Sequence, residues 1–256
     1  MNRFFKVRIF LPYLWLIGAF QLLSAQEAAP QKVLFVGNSY TYFWNLPQNV
    51  AAMLESRGKS WVVRQSTAGG VNLGQHWRGE KGLATGSLID EGDFDLVVLQ
   101  DHSKRAIDFP DSLQLFGQRW GKRIQQAGAQ VCMYMTWARA WDPAMQEPIS
   151  KGYLQLGRDL QARVAPVGQV WQKALAAKPD LVLYDEDGSH PSPLGTYLTA
   201  CVFFSILTGE SPVGLPHRLI TEDKDGEKLY LNIQSRETAA FCQKVAWEVC
   251  EALIQK

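Results

Sequence analysis

Ser39, Asp187 and His190 are the side chains in this chain whose types and spacing can do chemistry together. A serine hydroxyl is a poor nucleophile until an imidazole takes its proton. The imidazole in turn needs a carboxylate to hold its tautomer and stabilise its cation. Asp187 and His190 stand three apart in Asp185-Glu186-Asp187-Gly188-Ser189-His190-Pro191, a turn that enters a helix. The pair can therefore bond within its own loop and carry the free ring nitrogen towards Ser39. Ser39 ends the run Lys32-Val33-Leu34-Phe35-Val36-Gly37-Asn38-Ser39, which reads as a buried strand delivered into a turn. Ligand and catalytic groups in open α/β sheets collect at such strand ends, where backbone N–H groups are free. Alone, a serine after Gly-Asn is a turn or cap residue. The Asp-x-x-His pair at the far end of the chain puts the nucleophile reading ahead.

Acyl transfer also needs N–H donors for a tetrahedral oxyanion. The Ser39 and Gly70 amides and the Gln100 side-chain amide are the candidates, and one lost donor typically costs about 3–4 kcal/mol of barrier stabilisation. Gly69-Gly70 also reads as a tight turn with positive φ, a geometry compatible with that role. Asn38 and Tyr40 flank Ser39, and Trp44, Trp77, Trp137 and Trp141 fall near strand ends, where aromatic faces can hold a sugar or an acyl group. Asp185, Glu186 and Asp187 read as a solvated acidic loop rather than a cation site. His76 and His102 read as core or surface histidines, with His102 able to line the cleft.

The elements that must position these groups alternate. Strands are expected at Val33–Val36, Trp61–Gln65, Phe94–Gln100 and Gln130–Thr136, with an edge piece near Arg163–Val167, where Pro166 limits pairing. Helices are expected from Asn45, as cap, to about Arg57, and through Asn72–Trp77 and Gly82–Ile89. Further helices run from Pro110 to about Ala127, at Ile149–Gln161, Gln169–Ala176 and Ser192–Gly209, and from Ser235 to about Ile254. Residues 210–234 read as irregular, with a short strand at Lys228–Ile233. Strands alternating with helices of this length imply a parallel sheet covered on both faces, in one domain without repeats.

Residues 1–25 stand apart. Arg3, Lys6 and Arg8 precede an apolar run from Ile9 to Leu23, and Ser24-Ala25 precede polar Gln26-Glu27, the plan of a secretory signal peptide. The run is short for a membrane span and contains Pro12, so export with cleavage is expected, leaving no stable membrane insertion. The remaining 26–256 segment is ample for one catalytic domain. Its formal charge falls from the +1 of the whole chain to −2 once the three basic residues are set aside, and it has no basic run, which argues against nucleic acid as partner. Cys132, Cys201, Cys242 and Cys250 fit no metal-ligand spacing and read as buried thiols, with a bridge from Cys201 to one of the last two as the alternative.

Gly37-Asn38-Ser39 near the mature start resembles the Gly-Asp-Ser block of the SGNH (GDSL-type) hydrolases, and Asp187-Gly188-Ser189-His190 matches their Asp-x-x-His block. The resemblance implies a flavodoxin-like three-layer α/β/α sandwich with a mostly parallel sheet of about five strands. It also implies Ser39 as nucleophile, His190 as base, Asp187 as its orienter and Gly70 as the oxyanion glycine, with no cofactor. The usual Gly-x-Asn-Asp block is replaced by Leu99-Gln100-Asp101-His102-Ser103, similar to branches with a Gln-containing block. This puts the third oxyanion donor on Gln100, with Ser103 as substitute. The expected activity is that of a secreted serine esterase on a small ester, O-acetyl groups on carbohydrate being favoured. The alternatives are a lipid esterase or thioesterase, or a non-catalytic glycan- or anion-binding protein of the same fold.

Overall fold

The computed structural model describes residues 31–255; the expected signal peptide at 1–25 lies outside them. In chain order the main elements are β1 (Lys32–Gly37), α1 (Ser39–Tyr42), α2 (Leu46–Glu55), β2 (Val62–Thr67), α3 (Leu73–Arg78), α4 (Thr85–Glu91) and β3 (Leu96–Leu99). Then come α5 (Arg105–Asp108), α6 (Pro110–Gln126), β4 (Gln130–Tyr134), α7 (Gln146–Leu160), β5 (Arg163–Ala165) and α8 (Val167–Ala177). The chain continues with α9 (Pro193–Thr208), a hairpin of β6 (Arg218–Glu222) and β7 (Lys228–Ile233), and α10 (Arg236–Ile254). The first five strands form a wholly parallel sheet in the order β2-β1-β3-β4-β5, the doubly wound arrangement of a flavodoxin-like fold.

Alternation along the strands divides the core in two. Val33 and Phe35 of β1, with Val98 and Tyr134, face α2, α8, α9 and α10. Leu34 and Val36, with Val97, Leu99 and Met133, face the layer of α3, α6 and α7. A central strand buried on both faces reads as a continuous apolar run because successive side chains serve opposite cores. Each of these side chains contributes about 1.5–3 kcal/mol by leaving water. Helix α9 is buried almost all round, which explains its largely apolar sequence from Tyr197 to Leu207, broken only by Thr199 and Ser205, whose hydroxyls bond carbonyls of the same helix.

Caps hold the helices that lead out of the site. Ser192 Oγ accepts from Gly195 N–H at 3.0 Å at the start of α9, and Asn72 with Gln75 forms a capping box on α3. Asn45 is a correction: it precedes α2 in a left-handed conformation and makes no side-chain cap. Asn49 from within the helix instead donates to the Trp44 and Asn45 carbonyls. The stretch expected to be irregular before Lys228 contains β6, paired antiparallel with β7. Tyr184 and Pro191 form an isolated antiparallel bridge that closes the loop before α9. All four cysteines are buried free thiols.

Candidate active site

The site lies over the carboxyl ends of β1, β2 and β3. Strand β1 ends at Gly37, and Ser39 is the first residue of the single-turn helix α1. Asn38 shapes this turn: its side-chain oxygen accepts from Tyr40 N–H at 3.1 Å, and its Nδ2 donates to the Val71 carbonyl at 2.8 Å. Thr41 and Tyr42 N–H groups close on the Asn38 carbonyl. Among the described residues no hydrogen bond uses the Ser39 or Gly70 N–H; Ser39 opens α1, and the first amides of a helix have no intrahelical partner. Gly70 has φ +66° and open space where a side chain would stand.

Across the cleft, the loop before α9 folds on itself. Asp187 Oδ1 accepts from the Ser189 and His190 N–H groups at 2.9 and 2.8 Å. Asp187 Oδ2 accepts from His190 Nδ1 at 2.5 Å, and His190 Nε2 lies 2.9 Å from Ser39 Oγ. A carboxylate can only accept here, so Nδ1 carries the proton and Nε2 is the acceptor facing the serine. Burial acts to raise the Asp187 pKa. The bond from the His190 ring, then those from the two amides, outweigh it and hold the carboxyl below the usual range. Hydroxyl, imidazole and carboxylate thus stand in the order that lets a proton leave Ser39 as its oxygen attacks a carbonyl.

Aromatic rings lock the two loops together. Tyr40 stacks on Trp137 (4.4 Å between centroids), which stacks on Trp171 (4.1 Å). Tyr40 Oη bonds Ser189 Oγ at 2.8 Å, and Trp137 Nε1 donates to the Ser189 carbonyl at 2.9 Å. The Phe43 ring lies 4.2 Å from the His190 imidazole, nearly parallel to it. The sequence reading missed Phe43. Its only signal was its place in Tyr40-Thr41-Tyr42-Phe43-Trp44 directly after the serine.

Several expected site residues are placed elsewhere. Gln100 is fully buried and does not line the cleft. Its Oε1 accepts from Asn38 N–H at 2.8 Å and Thr41 Oγ1 at 3.0 Å, and its Nε2 donates to the Asp101 carbonyl. Its amide supports the serine turn from below rather than facing an oxyanion. Gly37 is required by that arrangement, because a Cβ there would sit 2.3 Å from both Gln100 Oε1 and Thr41 Oγ1. Ser103, by contrast, does line the cleft. The Asn38 side chain is spent on the turn. Trp137 is sealed inside the ring stack, and Trp44 is not part of the cleft wall. Trp77 packs edge-on against Trp120 beneath Arg119 and Arg123, beside a separate hollow.

His76 is the buried group whose part the residue types did not reveal. Its Nε2 donates to the Gly37 carbonyl at 3.0 Å, and its Nδ1 accepts from Thr85 Oγ1 at 2.7 Å. Burial pushes it down to about 4, against the bond to Gly37, so it braces the end of β1 as a neutral ring. The cleft itself has a volume of about 360 Å³, bordered by Ser39, Gly70, His102, Ser103, Arg139 and His190. Among the described residues, no group of three His, Cys, Asp or Glu side chains is arranged to hold a metal.

No family model and no curated protein matches the sequence. Solved structures do. A protein from Slackia heliotrinireducens, provisionally described as an SGNH hydrolase, is 25% identical with a TM-score of 0.62, over 70% of this chain and 100% of that one. A DUF4886 family protein from Bacteroides uniformis is 16% identical with a TM-score of 0.69, over 86% and 95%. An acetyl xylan esterase is 16% identical with a TM-score of 0.54, over 68% and 98%. With this strand order, and with the Gly37-Asn38-Ser39 turn and the Asp187-x-x-His190 loop facing one another across the strand ends, the chain belongs to the SGNH hydrolase superfamily.

Proposed function

We propose that the protein is an exported serine esterase that removes small acyl groups, O-acetyl above all, from carbohydrate. One observation carries the reading: groups 151 residues apart in the chain, Ser39 Oγ and His190 Nε2, meet at 2.9 Å with Asp187 behind the imidazole. Ser39 Oγ attacks the ester carbonyl carbon while His190 Nε2 takes its proton. The oxyanion forms against the Ser39 and Gly70 N–H groups, with the Ser103 hydroxyl in place of Gln100 as third donor. His190 returns the proton to the departing alcohol, leaving an acyl group on Ser39. Water, deprotonated by the same imidazole, then releases the acid.

The cleft supports a small acyl group. Its volume is about 360 Å³, room for a short acyl group, and its walls combine Ser39, Ser103, His102, His190 and Arg139 with the rings of Tyr40, Tyr42 and Phe43. The similarity to an acetyl xylan esterase points the same way. The basic-then-apolar start of the chain supports export. Hydrolysis of p-nitrophenyl acetate by wild type and by Ser39→Ala is the test. Loss of several powers of ten in turnover is expected. Equal rates overturn the esterase reading in favour of a binding protein of the same fold.

A further inference from the structure

Two hollows meet at the His190 imidazole. The first contains Ser39 and the open N–H groups. The second, of about 530 Å³, is walled by Lys104, Trp141, Asp142, Met145 and Asp187; Arg139, Ser189 and His190 border both. In the proposed reaction His190 hands a proton to the leaving alcohol, so the alcohol oxygen sits at the imidazole. The rest of the alcohol then extends past it, along Arg139 into the second hollow.

Arg139 stands ready there. Its Nη2 donates to Ser103 Oγ at 2.7 Å, and its guanidinium lies 5.6 Å from the Tyr40 ring centroid and 5.8 Å from that of Trp141. These contacts fix the planar fork without neutralising it. No carboxylate among the described residues forms an ion pair with Arg139. Of the other charged groups in the two walls, Asp187 is bonded to the neutral His190 ring and Lys104 is paired with Asp108 at 2.8 Å. Asp142 is exposed at the rim. His102, on the opposite wall, is held below the usual imidazole range by burial, then by the positive charges of Arg105, Arg139 and Lys104. An unanswered cation held in place at the position of the leaving group calls for an anion on the substrate. A carboxylate matches it in shape, one planar fork against another, and in charge, one against one.

We propose that Arg139 binds a carboxylate on the acyl acceptor, so that the substrate is an O-acylated acidic sugar, with the exposed Trp141 as the neighbouring wall. The inference rests on the esterase reading for the direction in which the alcohol leaves. Its test is a binding measurement and does not depend on turnover. Acetylated glucuronic acid and its methyl ester, which differ by one charge, are titrated calorimetrically into Ser39→Ala protein at low and high salt. The titrations are repeated with Arg139→Gln and Arg139→Lys added. The acid is expected to bind at least about tenfold more tightly than its ester, with the preference shrinking at high salt. Arg139→Gln should abolish the preference and Arg139→Lys should keep part of it. Equal binding of acid and ester, no detectable binding of either, or a preference that survives Arg139→Gln overturns the assignment. Selective binding of the acid by a wild type that fails to hydrolyse p-nitrophenyl acetate would remove the esterase reading and leave Arg139 as an anion-binding residue.

Discussion

Replacing Gln100 by methionine separates support of the serine turn from stabilisation of an oxyanion. The substitution keeps the volume of a fully buried side chain but removes the acceptor of two bonds. The Asn38 N–H, bonded at 2.8 Å, has no other partner and stays buried, which costs about 1–3 kcal/mol. The Thr41 hydroxyl, bonded at 3.0 Å, can rotate and loses about 0.5–1.5 kcal/mol. A total of about 2–4 kcal/mol corresponds, for a domain of this size, to a fall in Tm of roughly 5–15 °C. Thermal unfolding followed by circular dichroism measures it, with ester hydrolysis measured on the same samples. Turnover should fall as well, because a turn that shifts carries Ser39 with it. An oxyanion donor would behave differently: its loss costs about a hundred- to a thousandfold in kcat while leaving the fold intact. An unchanged Tm with a hundredfold loss of kcat would refute the assignment of Gln100 as a support.

Gly37→Ala attacks the same contact from the other side. A Cβ 2.3 Å from two anchored oxygens forces the strand end to move, so a loss of about 1–3 kcal/mol and of most esterase activity is expected; normal stability and rate would show that the turn has slack. His76→Gln tests the neutral brace. The folded pKa of about 4 lies below the unfolded value, so His76 carries no charge penalty at pH 7. As pH falls below about 6.5 the unfolded chain binds the proton first and the wild type loses stability, by about 2 kcal/mol at pH 5. Urea unfolding at pH 7 and pH 5 should show that loss in wild type and not in His76→Gln; the same pH dependence in both proteins would mean that His76 is charged in the fold.

Long apolar periodicities made most of the fold legible. Val33–Val36 and Leu96–Leu99 are buried on both faces, α9 and α10 begin at the serine caps Ser192 and Ser235, α9 stops at Gly209, and α6 starts at Pro110. Elements whose residues do not follow a core pattern escaped. Helices α1 and α5 are single turns, too short for periodicity. In β6 only Leu219 is buried, so the alternation that identifies a strand is missing there, whereas its partner β7 runs over the expected Lys228–Ile233. Ser39, Asp187 and His190 were legible as candidates because acyl transfer demands those residue types and because a spacing of three lets Asp187 and His190 bond within one loop.

Residue types and order along the chain thus determined the parallel α/β architecture, the strand ends at which polar groups collect, and which side chains have the chemistry to act. Tertiary structure alone decided which of those groups point into the cleft. Gln100 and Trp137 have suitable chemistry, but the first faces inward beneath Gly37, and the second is stacked between Tyr40 and Trp171. Phe43, His76 and Arg139 gained their places from neighbours far away in sequence. The direction of a side chain at a loop or strand end is set by packing and hydrogen-bond satisfaction across elements, and a linear chain does not contain those partners until it has folded.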